Sequence, residues 1–140
     1  MKLKKVYSRY FPLKGFLALT VFPFVFIRAD QRASFNATAE RHENTHALQQ
    51  LELTCLGALV SVLMAVLGCG WWSVIPLLLF FELYALEWLV KLPFCGFNAF
   101  RAYLSISMEQ EAYEHQPEVF YNDVRRAFAW VKFVFVIIEY

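Results

Sequence analysis

Charge vanishes from the middle of this chain: between Leu53 and Phe81 there is no Asp, Glu, Lys or Arg. Gly68, Gly70 and Pro76 punctuate that run. It therefore predicts two apolar helices joined near 68–76, the second over about 77–91, rather than one long span. A polar stretch precedes it, with Asn36 or Thr38 placed to cap a helix that turns apolar after Gln49, Gln50 and Glu52. Further upstream, Gly15–Ile27 is rich in Phe, Val, Leu and Thr. Pro23 breaks it into two short strands, about 16–21 and 24–28, turned at Phe22-Pro23, with Arg28–Phe35 as a polar connection. Downstream, Pro93 and Gly96 interrupt 92–97, and Asn98 can cap a third helix over about 99–114 that ends before Pro117. Asn122 can cap a last one, because Val124, Ala127, Phe128, Val131, Val134, Phe135 and Ile138 recur at helical spacing with Arg125, Arg126 and Lys132 off the stripe.

These elements predict an α+β fold, mostly α, in one domain over 1–140. Residues 1–14 are a basic tail, 15–35 strands and loop, 36–116 the capped helix, the apolar hairpin and a third helix, and 117–140 an amphipathic C-terminal helix.

Composition changes the picture of the hairpin. Of the 140 residues, 59% are hydrophobic and 18% charged, against about 45–50% and about 25% in soluble domains. That excess, fifteen Phe included, points to a membrane, with an obligate homo-oligomer as the soluble alternative. A chain of 140 residues also leaves little room for a substrate cleft, which makes a partner subunit a candidate to complete one. Each arm is near the lower length limit for crossing a hydrocarbon core of about 30 Å, so a re-entrant hairpin stays open beside a spanning one. Every Lys and Arg lies in the flanks and none in the 68–76 turn. If the hairpin crosses, both ends face the cytoplasm, with the chain at the inner membrane. A net charge of +1 argues against nucleic acid as a partner. Cys55, Cys69 and Cys95, odd in number and widely spaced, read as small buried apolar residues in a reducing compartment.

The candidate chemistry sits in the polar first turns of the capped helix. His42-Glu43-Asn44-Thr45-His46 is H-E-x-x-H, and positions i and i+4 lie on one helix face, so His42 and His46 can grip a single metal ion. Glu43 projects beside them as general base and then acid for a water on that metal, Zn2+ being the ion that three protein ligands leave open to water. A third ligand must come from elsewhere, and Met108–Tyr113 offers Glu109 and Glu111. They are two positions apart, about 200° around a helix, so only one can face the histidines and the other should be solvated or paired with a cation.

Here the chain resembles the gluzincins, H-E-x-x-H metallopeptidases (zincins) whose third ligand is a Glu on a later helix. In a membrane-embedded branch that includes CAAX-processing proteases, the later helix carries E-x-x-A-D. Glu109-Gln110-Glu111-Ala112 matches its first four positions, which by that resemblance makes Glu109 the ligand and leaves Glu111 the alternative. Tyr113 stands where that branch has an Asp that orients a bound His. The chain is similar also to small membrane-associated bacterial proteins, common in Bacteroidetes, that combine an N-terminal strand pair, H-E-x-x-H, an apolar Y-x-x-E-W segment (Tyr84 to Trp88) and A-Y-x-x-I-S-x-E-x-E-A-Y (Ala102 to Tyr113, with Ser105-Ile106-Ser107 at the I-S step). The resemblance implies a minimal zincin-like fold and covers most of 15–113.

Glu87 has two readings: acceptor of the N–H of a zinc-bound His in place of the missing Asp, or partner of Lys91 at i, i+4. Tyr113 or Tyr103 can stabilise an oxyanion or simply pack, and His115 reads as a surface residue. The expected function is a membrane-associated, zinc-dependent metalloprotease acting on a peptide or protein, a hydrolase whose strand near 24–28 pairs with extended substrate. The alternative is a non-catalytic zincin-like protein that binds metal or a partner.

Overall fold

A computed structural model describes residues 1–138. It is mostly helical with one small sheet, as the pattern predicts. The chain forms two compact units, Met1–Leu48 with Glu111–Arg126 and Gln49–Gln110 with Ala127–Tyr140. Two helices, α1 (Ala37–Val66) and α4 (Ser107–His115), contribute to both.

In the first unit three strands form a sheet: β1 (Lys4–Ser8), β2 (Ala18–Val21) and β3 (Phe24–Arg28), in the order β1-β3-β2. β2 and β3 are the expected pair, antiparallel and turned at Phe22-Pro23. β1 is a correction to the basic tail: it pairs parallel to β3, with Lys4 opposite Phe24 and Ser8 opposite Arg28. Its lysines read as a basic tail, yet charged side chains are what edge strands tolerate, and the neighbouring β3 decides the outcome. A second correction follows. With β1 on one side and β2 on the other, β3 is central, so the strand near 24–28 offers no edge to a peptide, and β2 is paired on one side only. Directly opposed residues face the same way. Thr20 opposes Val25, and both are buried with Ile27 beneath the sheet.

Asn36 caps α1 as expected, its Oδ1 accepting the backbone N–H of Thr38 and Ala39 at 3.0 Å each. The connection 28–35 carries a short 3-10 helix, Ala29–Ser34, opened by Arg28. Its guanidinium holds Asp30 and keeps that carboxyl below its ordinary value through the hydrogen bond.

In the second unit α1 runs to Val66, Gly68 and Gly70 take positive φ, and a 3-10 helix, Gly70–Leu78, leads into α2 (Leu79–Phe94). Gly57 is required here: a Cβ on it would stand 1.8 Å from the Pro76 carbonyl oxygen. The core joins Leu53, Phe80, Ile106, Met108 and Trp130, with Leu83, Trp88 and Val134 packed against it. Cys95 is buried, whereas Cys55 is exposed, contrary to its expected burial, because it lies on the outer face of α1. Among the described residues no cysteine is bridged.

Asn98 caps a helix as predicted, but that helix, α3 (Ala99–Leu104), stops and α4 starts afresh at Ser107. The break is imposed from outside. Ser105 O accepts from Lys91 Nζ and from Gln110 Nε2, and Glu87 takes both the backbone N–H and the hydroxyl of Ser107, at 2.9 and 2.7 Å.

The amphipathic C-terminal helix is also corrected. Only α5 (Tyr121–Val124) and a 3-10 helix, Ala129–Phe133, form, with Arg125 extended and Phe128 left-handed between them. The residues that are buried, Trp130 and Phe133, lie off the apolar stripe, whereas Val124, Val131 and Phe135 of the stripe are exposed. What defeats the helix is competition for its backbone. Glu52 takes the Phe128 N–H, Lys91 and Gln110 take Val136 O, and Arg101 takes Ile138 O. Asn122 does not act as its cap: it accepts from Thr45 Oγ1 at 2.9 Å and donates to Arg41 O. The last two positions assigned to that helix, Glu139 and Tyr140, lie outside the described residues.

Candidate metal centre

The first turns of α1 carry the motif into the interior. His42, Glu43, Thr45, His46, Gln49 and Gln50 are all buried, a density of polar groups that costs stability unless each is partnered. The one-turn spacing does what it predicts: Nε2 of His42 and Nε2 of His46 lie 3.0 Å apart, with the rings edge to face. Two nitrogens each about 2.0–2.1 Å from a tetrahedral ion are about 3.3 Å apart, so the pair is close to a chelating geometry. Tyr113 packs its ring against His42 at 4.6 Å, also edge to face. It fixes the imidazole plane by packing, where an Asp would do so by a hydrogen bond.

Glu43 is buried beside the histidines. The Thr20 hydroxyl, on β2, donates to its Oε2 at 2.7 Å. That bond sets the carboxylate's orientation and ties it to the sheet. Oε1 has no hydrogen-bond partner among the described residues, so it is the atom able to take a proton.

Glu109 lies in the first turn of α4 and is 3% exposed. Two phenols hold its carboxylate: Tyr84 Oη donates to Oε1 at 2.7 Å and Tyr103 Oη to Oε2 at 2.9 Å. One ligand atom from each of His42, His46 and Glu109 falls in a group whose members all lie within 4.8 Å of one another, and this buried group could hold a metal ion. Two imidazoles and a carboxylate are a donor set that zinc accepts.

Glu111, the alternative ligand, is placed otherwise. It is fully buried, paired with Arg125 through both oxygens and accepting from Tyr121 Oη at 2.7 Å. The expectation that one of the two carboxylates pairs with a cation thus applies to Glu111. Burial and the bond to Glu111 push the Tyr121 phenol above its ordinary value.

Glu87 takes the ion-pair reading, not the histidine one. Lys91 Nζ stands 2.7 Å from Oε1, and the rest of the carboxylate is spent on Ser107. It therefore serves the metal group at one remove, as an anion capping the helix that presents Glu109 two residues later. His115 stacks on Tyr121 with ring centroids 3.8 Å apart and pairs with Glu118, away from the group.

The sequence alone presents Tyr84 only as the first letter of Y-x-x-E-W, and Tyr103 as a packing or oxyanion residue, so neither is foreseen as a partner of Glu109. A lone phenol in an apolar helix needs a buried acceptor, and that was the available clue. Thr20 carried none. Compared with known protein families, with curated proteins and with solved structures, the chain finds no match in any of the three.

Proposed function

We propose that this chain is a membrane-associated, zinc-dependent metallopeptidase. The observation that carries the reading is the clustering of His42, His46 and Glu109 ligand atoms beside a buried glutamate whose free oxygen can move a proton. Zinc, when bound, would polarise the scissile carbonyl and make water acidic enough to deliver a nucleophile near neutral pH. Glu43 Oε1 takes the proton from that water and returns it to the leaving amine, while Thr20 holds Oε2 so that the acceptor does not rotate away. Tyr84 and Tyr103 keep Glu109 fixed as a ligand. The peptide lies along the unpaired side of β2, in register with Thr20, so that backbone hydrogen bonds align a carbonyl with the machinery.

The hairpin supports the membrane half of the proposal. Ala37–Val66 and Gly70–Phe94 are long and apolar enough to cross a bilayer, and the lysines and arginines of the flanks favour an orientation with both ends, and the metal group with them, on the cytoplasmic side of the inner membrane.

The test combines metal analysis with a peptide-library assay on the full chain in lipid. Stoichiometric zinc, its loss in His46→Ala, and loss of cleavage by about 10²–10⁴-fold in Glu43→Gln with zinc retained are expected. Zinc without Glu43-dependent cleavage would leave a metal-binding or partner-binding scaffold instead, and no zinc at all would end both readings.

A further inference from the structure

The charge-free hairpin has a length, and the length is short for a crossing. From Leu53 to Val66 α1 rises about 20 Å at 1.5 Å per residue. The return from Gly70 to Leu78 as a 3-10 helix, then to Phe81 in α2, covers about 20 Å as well. The arms match each other, and Gly57 against Pro76 locks them side by side. Both fall about 10 Å short of a 30 Å hydrocarbon core.

Three further observations bear on what surrounds them. Exposed apolar residues are not confined to a stripe. Val60, Leu59, Val62 and Ala65 are all exposed and together sweep about 220° of α1 at 100° per residue. A second copy of the chain would cover one face; only a solvent covers so wide an arc, and the solvent that suits it is lipid. The turn at the tip has its backbone N–H groups satisfied locally, Leu67, Gly68 and Cys69 donating to carbonyls at the end of α1 and Trp72 to Cys69 O, at 3.0–3.3 Å. Such a turn tolerates a place without water. Finally, Glu82 is exposed and forms no ion pair among the described residues. In a crossing by Gly70–Phe94 it would lie unpaired at mid-membrane, which is strongly disfavoured.

We propose that the α1–α2 hairpin is a one-sided anchor: it enters the bilayer from one face, holds Glu52 and Glu82 at headgroup level, carries Trp71 and Trp72 into the hydrocarbon, and does not emerge. This rests on the membrane reading above and decides between its two topologies. On α1 itself His46 lies six residues, about 9 Å, from Glu52, so the histidines ride close above the headgroups. A peptide tethered to the same surface is then the substrate class best presented to them.

Native residues supply the probes. Purified full chain carrying Cys55→Ser is added from outside to phosphatidylcholine–phosphatidylglycerol vesicles and floated. Cys69 at the tip is then challenged with a membrane-impermeant maleimide, either outside or trapped in the lumen, with Cys69→Ser as the blank. Tryptophan emission is read in vesicles whose lipids carry bromine near the headgroup or near the acyl terminus, with Trp71→Phe/Trp72→Phe removing the hairpin's share. Flotation, loss of Cys69 labelling on both sides, and stronger quenching by the deeper bromines are expected. Labelling by the lumenal reagent would show that the tip crosses and overturn the anchor while leaving membrane binding intact. Failure to float would remove the membrane reading itself.

Discussion

The two halves of α1 invert the usual arrangement in opposite directions. Over its first turns the polar residues are inside: His42, Glu43, Thr45, His46 and Gln49 are buried. Over its last turns the apolar residues are outside, with Leu59 71% and Val66 79% exposed. A single helix with no change in backbone geometry thus serves two environments. The first half buries polar groups because the fold brings partners to them: Thr20 donates to Glu43, Thr45 donates to Asn122, and Gln49 donates to Met108 O. The second half exposes apolar groups because its surroundings, on the proposal above, are not water. Hydrophobicity alone ranks these halves the wrong way round for burial, and the lesson is that a buried polar residue and an exposed large apolar surface are the informative observations.

Breaking the polar side of the comparison should cost most. Arg125→Leu leaves Glu111 as an uncompensated buried charge, and loss of about 3–5 kcal/mol is expected by denaturant titration; a shift well below 1 kcal/mol would show that water reaches Glu111. Next in size is Thr45→Val, which removes the hydroxyl shared by Arg41 O and Asn122 Oδ1. It should cost about 1–3 kcal/mol, and hydrogen exchange at α5 should rise with it. On the apolar side the signs separate. Val62→Arg should leave stability in detergent within about 0.5 kcal/mol, yet weaken vesicle flotation, since a buried arginine costs about 2.5–3.5 kcal/mol in hydrocarbon. Equal flotation of parent and variant would mean that this face never meets lipid.

The smallest effect is in pH. The Tyr121 phenol titrates above its ordinary value in the folded chain, so the fold favours its protonated form. Its contribution is complete below about pH 10 and disappears as pH rises through the folded value. Tyr121→Phe should flatten that alkaline decline in a thermal-unfolding series, and an unchanged slope would assign the decline to another group.

Much of this was legible along the chain. Asn36 and Asn98 announce their helices, Gly68 and Gly70 the turn at the tip, and Phe22-Pro23 the bend in the strand pair. His42 and His46 need only helical periodicity to share a face. That either Glu109 or Glu111 must turn away from the histidines is likewise a matter of spacing. β1 was not legible, since Lys4–Ser8 pairs with residues twenty positions downstream. Nor was the fate of the C-terminal stripe, whose spacing is helical but whose carbonyls are claimed by Lys91, Gln110 and Arg101.

What the amino-acid order settled by itself is whatever depends on neighbours within a turn or two: caps, breaks, the two imidazoles on one face, the uncharged stretch. What only tertiary structure decided is partnership over distance. Arg125 took Glu111, Tyr84 and Tyr103 took Glu109, Thr20 took Glu43, and Glu87 closed on Lys91 and Ser107. The reason is that a buried polar atom must be satisfied by whichever group the fold brings within about 3 Å, and no local pattern encodes which group that will be.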